Sequence, residues 1–337
     1  MTWARAKNEG RSGNASFKLG DPAVAEAATY WNLFPLQRAL VLEWDDVVVY
    51  AGIIDDVDYD FDSKTLDLVH KDLWSVWPFR YALAVHGAGA QSTKLVYNNL
   101  TLATLAKRAV FEGQNSLPSS QYQLPIVYPA DATGTHDETW YGYHFKKVSD
   151  ILDEIIKTEG GPDIDFAPRW AADGSLEWVM RTGDLSGATW EWDLSQLRPE
   201  VKGAKLKISA DDMVTRVIGT GEGSEKKVLT ASAEATDSTI IGRERVTSFQ
   251  GEASLTRLQA RTRADLEATR VSVQQPGFSV RADGVVPVSA LQLGGTVWWH
   301  VQDDPYIPFG WKDEELIEFS GDLSNRVKLS LQRKGSF

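Results

Sequence analysis

The densest run of ionisable side chains is Asp55-Asp56-Val57-Asp58-Tyr59-Asp60-Phe61-Asp62. Carboxylates this closely spaced suggest a calcium loop, which needs glycine at its sixth position and a bidentate glutamate at its twelfth. Counted from Asp56, those positions hold Phe61 and Asp67, so both the sharp turn and the bidentate ligand are missing. The same residues fit the two-residue period of a strand. Val57, Tyr59 and Phe61 then face inward, and Asp56, Asp58, Asp60 and Asp62 form an outer row. Like charges in a row repel, so that face belongs in water or along an open channel.

Gly219-Thr220-Gly221-Glu222-Gly223 follows an apolar run and invites a phosphate-binding reading. A dinucleotide site needs a helix to begin at the glycines and offer free backbone N–H groups. Here the chain runs on through Ser224-Glu225-Lys226-Lys227 into Val228, a second strand pattern, so a glycine-rich hairpin bend is expected. The histidines are His70, His86, His136, His144 and His300. None has a second histidine at metal-ligand spacing, and no HExxH, GxSxG or SxxK motif occurs. A spatial carboxylate pair for glycoside hydrolysis leaves no sequence signature, and nothing here raises one above background. The expectation is no catalytic residue, no cofactor and no metal site.

Composition narrows the class. The 337 residues carry 35 Lys plus Arg against 47 Asp plus Glu, a net charge of −12, which argues against a surface built to grip phosphates. There is no cysteine, which removes disulfides and thiolate chemistry. The longest apolar stretch, Val47 to Ile54, is strand-length, so no membrane span and no signal peptide are expected. Thirteen tryptophans stand out. Scattered as they are, they suit thin β-rich cores and subunit interfaces better than a sugar-stacking platform.

The elements that must hold these residues fall into three stretches. Ala15–Leu19, Leu40–Trp44, Val47–Tyr50, Ile53–Phe61 and Thr65–Val69 read as short antiparallel strands with turns at Asp45-Asp46 and 62–64. Leu102, Leu105, Ala106 and Ala109 then follow helical spacing, as do Val148, Ile151, Leu152, Ile155 and Ile156. Residues 113–139 read as a long loop, and Ile164–Pro168 with Leu176–Thr182 as a hairpin. Beyond Pro199, strands are expected at Leu206–Ile208, Met213–Ile218, Val228–Ala231, Thr296–Val301, Leu316–Ser320 and Arg326–Leu331. A helix at Ala253–Val271 is ended by Pro276-Gly277. The fold class is therefore mainly β with an α+β insert. The expected domains are 1–84, a first β-barrel; 85–198, an α+β middle domain; and 199–337, a second barrel with a helical insertion around 236–284.

The two β regions repeat an order. An apolar strand, Ile53-Ile54-Asp55-Asp56, a turn at Ser63-Lys64 and Leu66-Asp67-Leu68-Val69 match a strand, Leu316-Ile317-Glu318-Phe319, a turn at Ser324-Asn325 and Val327 to Leu331.

This order resembles the baseplate-hub and tail-tip (minor tail) protein family of long-tailed bacteriophages. The likeness is carried by the Leu40–Ile54 hairpin with Gly52, the Ile53–Val69 hairpin and Lys71-Asp72-Leu73 leading to Arg80. Leu102–Val110, Val148–Thr182 with Asp165-Phe166-Ala167-Pro168, Met213–Gly223 and Leu293-Gly294-Gly295-Thr296-Val297 complete it. That family often has Asp after the Gly at position 294, and Gly295 departs from the pattern. The resemblance implies two tail-tube-like antiparallel β-barrels flanking an α+β middle. It further implies a structural virion protein at the distal end of the tail, assembled in the host cytoplasm. As a homotrimeric hub it would join a sixfold tube or distal-tail ring to threefold tip components. Its partners would be the distal-tail ring protein, the tape-measure protein end and a tail fibre or receptor-binding protein. DNA would pass through an acid-lined lumen without specific binding. Residues 334–337 follow so soon after the second barrel that no lysin or spike domain is expected. The alternative is a secreted or virion-associated polysaccharide-binding or glycoside-hydrolysing protein, which needs exposed tryptophans and a carboxylate pair.

Overall fold

The computed structural model describes residues 1–29, 32–85, 87–115, 123–196, 200–237, 239–249, 251–270 and 273–333. The fold is mainly β, 44% strand and 19% helix, with an α+β insert. The first stretch holds β1 (Thr2–Ala6), β2 (Ser12–Lys18), α1 (Pro22–Ala27), β3 (Ala39–Trp44), β4 (Val47–Asp60) and β5 (Thr65–Lys71). Next come β6 (Lys94–Leu100), α2 (Leu102–Asn115), β7 (Ile126–Val127), β8 (His136–Tyr141), α3 (Val148–Ile156), β9 (Asp163–Trp170), β10 (Leu176–Gly183) and β11 (Thr189–Asp193). The last stretch holds β12 (Lys202–Ser209), β13 (Arg216–Thr220), β14 (Thr230–Glu234), β15 (Glu244–Ser248), α4 (Leu255–Thr269) and β16 (Val273–Arg281). It closes with β17 (Thr296–Val301), β18 (Gly310–Asp322) and β19 (Arg326–Gln332).

The duplication is real at the level of hydrogen-bond register. Strands β2-β5-β4-β3 form one antiparallel sheet, and β16-β19-β18-β17 follow the same order inside a larger one. In each, three strands meander and a fourth returns by a longer connection, the Greek-key arrangement. The long strands break register at matching places. Ile54 lies opposite His70 and Asp56 opposite Val69; Leu316 lies opposite Leu331 and Glu318 opposite Ser330. Asp55 and Ile317 are thus equivalent bulges, and Ile54 is the counterpart of Leu316. The other edges agree: Ala39 faces Ile53 as Thr296 faces Glu315, and Ala15 faces Leu68 as Phe278 faces Leu329. Strands β5 and β19 even share one alternation of burial along their length. A bulge bends its strand and raises the local twist, so two bulges at one position curl both sheets alike.

The larger sheet gains three strands. Strand β11 pairs parallel to β17 at one edge and β12 pairs antiparallel to β16 at the other. Strand β1 pairs with the C-terminal half of β18, Thr2 opposite Asp322 and Ala6 opposite Glu318. One core runs through this sheet and into the first: Trp3, Val49 and Tyr50 pack with Trp192, Phe278, Val297, Leu316, Phe319 and Leu329. A second core joins Val48 and Ala51 of β4 to the middle stretch. There α2, α3, β9, β10 and the 3-10 helix Leu73–Phe79 bury Trp74, Trp77, Leu105, Ile151, Ile164 and Trp178.

Between β12 and β16 sits a small unit in which α4 packs on the sheet β14-β13-β15. It leaves and rejoins the larger sheet at adjacent positions, because Ser209 and Val273 lie opposite each other in the ladder.

Three local expectations are corrected. Phe61 does not face inward; it is 75% exposed in the turn and meets Tyr59 edge-on. Pro276-Gly277 does not stop a helix but lies within β16, and α4 ends at Thr269. The proline sits opposite Leu206 of β12, one residue before the β19 ladder begins at Gly277 opposite Ser330. The stretch 113–139 is not all loop: α2 runs to Asn115, β7 lies within it and β8 begins in it, while 116–122 fall outside the described residues.

Candidate functional site

The aspartate row is a strand face, as its alternation requires. Asp56, Asp58 and Asp60 are exposed on β4 while Val57 and Tyr59 pack partly inward on Ala15, Ile54, Leu66 and Leu68. Asp60 turns the hairpin: its Oδ1 accepts from the Asp62 and Ser63 N–H groups, which hold its carboxyl below the usual range. Asp322 does the same at the equivalent turn, where its Oδ1 accepts from Ser324 N–H. Asp55 points away from the row and pairs with Lys71 at 2.6 Å. Asp58 lies directly opposite Asp67, a like-charge pair. Asp56, Asp58 and Asp67 border an open cleft of about 490 Å³ with Asn14 and Ser16, and none makes an ion pair among the described residues.

The glycine run is a bend between strands. β13 ends at Thr220 and a 3-10 turn, Glu225–Lys227, leads to β14. Its first glycine serves packing, since a Cβ on Gly219 would lie 2.1 Å from Thr262 Oγ1 on α4. Among the histidines, His86 lies outside the described residues. His70 is fully buried, with Nδ1 2.8 Å from the Tyr50 hydroxyl and Nε2 without a hydrogen-bond partner among the described residues. Burial lowers its pKa and raises that of Tyr50. Gly52 makes room for the pair: a Cβ there would lie 2.3 Å from the Tyr50 hydroxyl oxygen. Next to them, burial pushes the Asp72 carboxyl up to about 7 against two backbone donors, Arg11 N–H and Trp74 N–H. His300 Nδ1 lies 3.1 Å from Asp193 Oδ1 on the outer face of the large sheet, and Ser195 donates to the same oxygen.

Sequence reasoning missed the junction that binds the stretches together. Arg5 on β1 donates to both oxygens of Asp165 on β9, at 3.1 and 3.0 Å, and to the Val49 carbonyl on β4 at 3.1 Å. Arg181 approaches the same carboxylate at 3.3 Å and the Leu293 carbonyl at 3.3 Å. Lys7 pairs with Asp163 at 2.8 Å and Glu315 at 2.7 Å. Charges this buried are stable only when paired and hydrogen-bonded. The one sequence signal was the alternation of charged Arg5 and Lys7 with apolar Trp3, Ala4 and Ala6.

Tryptophan is mostly core: Trp3, Trp74, Trp77, Trp140, Trp178, Trp190, Trp192 and Trp299 are buried. Trp170, Trp298 and Trp311 are exposed, and Trp31 lies outside the described residues. Trp298 faces Glu191 and Asp313 across neighbouring strands.

No family model and no curated protein sequence matches the chain. Solved structures do. The 43 kDa tail protein of prophage MuSo2 from Shewanella oneidensis superposes with a TM-score of 0.56 at 13% identity, over 98% of this chain and 93% of that one. The tail protein from Neisseria meningitidis MC58 gives 0.50 at 19% identity, over 86% and 81%. An Escherichia coli type VI secretion component, described as structurally similar to T4 bacteriophage tail proteins gp27 and gp5, gives 0.51 at 12% identity, over 100% and 73%. The fold is that of these tail proteins.

Proposed function

We propose that this chain is a structural virion protein, a trimeric hub at the distal end of a phage-type tail, without catalytic activity of its own. The observation that carries the reading is the duplication: two sheets with one strand order, one register and one bulge position in a single chain. A chain with two near-equivalent modules lets three copies present six similar surfaces to a sixfold tube above and three to a tip below. The modules are assigned to 1–84 and 199–337 around a middle domain at 85–198, with β1 and β11 crossing between them. The hub's partners are a distal-tail ring, the tape-measure end and a fibre or receptor-binding protein. Its net charge of −12 suits a conduit that does not retain passing DNA. The fold shared with the Shewanella and Neisseria tail proteins supports the reading.

Electron cryo-microscopy of the particle that carries this chain tests it. Three copies in one ring, with first and second modules alternating, are expected. Six copies, or a chain absent from the particle, would overturn it.

A further inference from the structure

The chain carries two charge rows that its own fold leaves unneutralised. One is on β12, where Lys202, Lys205 and Lys207 lie opposite Ser279, Gly277 and Gln275 and so share one face. All three are exposed, and none makes an ion pair among the described residues. β12 is also an edge strand whose other face leaves Ile208 45% exposed, a configuration that invites a partner. The other row is the first module's Asp56 and Asp58 on β4 with Asp67 on β5. The lysines recur opposite every second residue of β16, and Asp56 and Asp58 recur at the same two-residue rise of roughly 6.5–7 Å, with Asp67 across from Asp58 on the neighbouring strand. The Asp58–Asp67 repulsion is relieved when a cation sits between them.

We propose that β12 of one copy docks its lysine row against the Asp56, Asp58 and Asp67 face of the next copy. The contact is head-to-tail, joining the second module of one molecule to the first module of its neighbour. Such a heterologous contact closes into a ring when the rotation per step divides the circle. The occupant is a second copy because the complementary face, opposite in charge and equally free of ion pairs among the described residues, is on the same chain. This inference rests on the three-copy reading above and names the surfaces that make it.

The test is analytical ultracentrifugation of the full chain, with circular dichroism to verify the fold of each variant. Lys202→Glu/Lys205→Glu/Lys207→Glu and Asp56→Lys/Asp58→Lys/Asp67→Lys are each expected to weaken association on the order of a hundredfold. A chain carrying both sets is expected to recover it, and added salt to weaken the unsubstituted trimer. If trimers form undiminished in both charge-reversed chains, the lysines merely guard an open edge and the aspartates face elsewhere; this interface is then wrong, while the three-copy reading stands. If the unsubstituted chain stays monomeric at every concentration, both are overturned.

Discussion

Arg5 and Asp165 lie 160 residues apart in sequence, yet they meet through two hydrogen bonds of 3.0–3.1 Å. With Arg5 also donating to Val49, a single guanidinium ties β1, β4 and β9 into one body. Removing the carboxylate leaves Arg5 and Arg181 without their shared, buried partner. Asp165→Ala is expected to cost about 3–5 kcal/mol in denaturant unfolding. Replacing Arg5 and Asp165 together by apolar residues of similar volume should cost less, which a double-mutant cycle measures.

The Tyr50–His70 pair and Asp72 give the fold opposing pH responses. The folded state keeps His70 neutral, whereas the unfolded chain takes up its proton near 6.5; this contribution is lost as pH falls below that value. Asp72 is held protonated up to about 7 against 3.8 when unfolded, so its contribution is lost as pH rises through that interval. Tyr50→Phe/His70→Leu removes the first response and adopts the residue of the second module, Leu331. The variant's melting temperature should fall with rising pH between these values more steeply than the parent's. Parallel profiles would refute the assignment.

Gly52 has a strand's neighbours and no room for a side chain. Gly52→Ala drives a methyl group into the Tyr50 hydroxyl and the His70 ring, and should destabilise the chain by about 1–3 kcal/mol. Adding Tyr50→Phe removes the oxygen and should restore part of that loss in chemical denaturation.

The unit at 210–272 should be dispensable for the sheet that carries it. Ser209 and Val273 are ladder partners, so an Asn-Gly turn can replace everything between them. The shortened chain should keep its tryptophan fluorescence, since no tryptophan lies in that stretch, and its tail-type fold in a solved structure. Collapse of the tryptophan signal would show that the sheet depends on its insert.

Hairpins and helices with strong periodicity are legible in the sequence. The β4–β5 turn, α3 with its buried Val148, Ile151, Leu152 and Ile155, and β17 to β19 all follow from spacing and turn residues. Strands β1, β6 and β11 are not legible there, because a strand that pairs across a long sequence separation carries no nearby turn to announce it. In β16 the dipeptide Pro276-Gly277 reads as a stop and masks the alternation of Phe278 and Val280, which the pairing with β12 and β19 reveals. The repeat was visible as an order of elements; its alignment of Ile54 with Leu316 required the bulges, which leave no mark in residue type. Lys202, Lys205 and Lys207 alternate imperfectly in sequence and share a face because a register shift separates the first two.

The placement of β1 has a temporal consequence. Residues 2–6 are synthesised more than three hundred residues before their hydrogen-bond partners, residues 318–322. Until then Trp3 has no pocket and the Arg5 bridge no fixed strand to stand on. Such long-range pairing slows folding, and it makes completion of the body a post-synthetic event. A nascent chain stalled before β18 would expose that aromatic surface to chaperones, and the arrival of β18 would seal it.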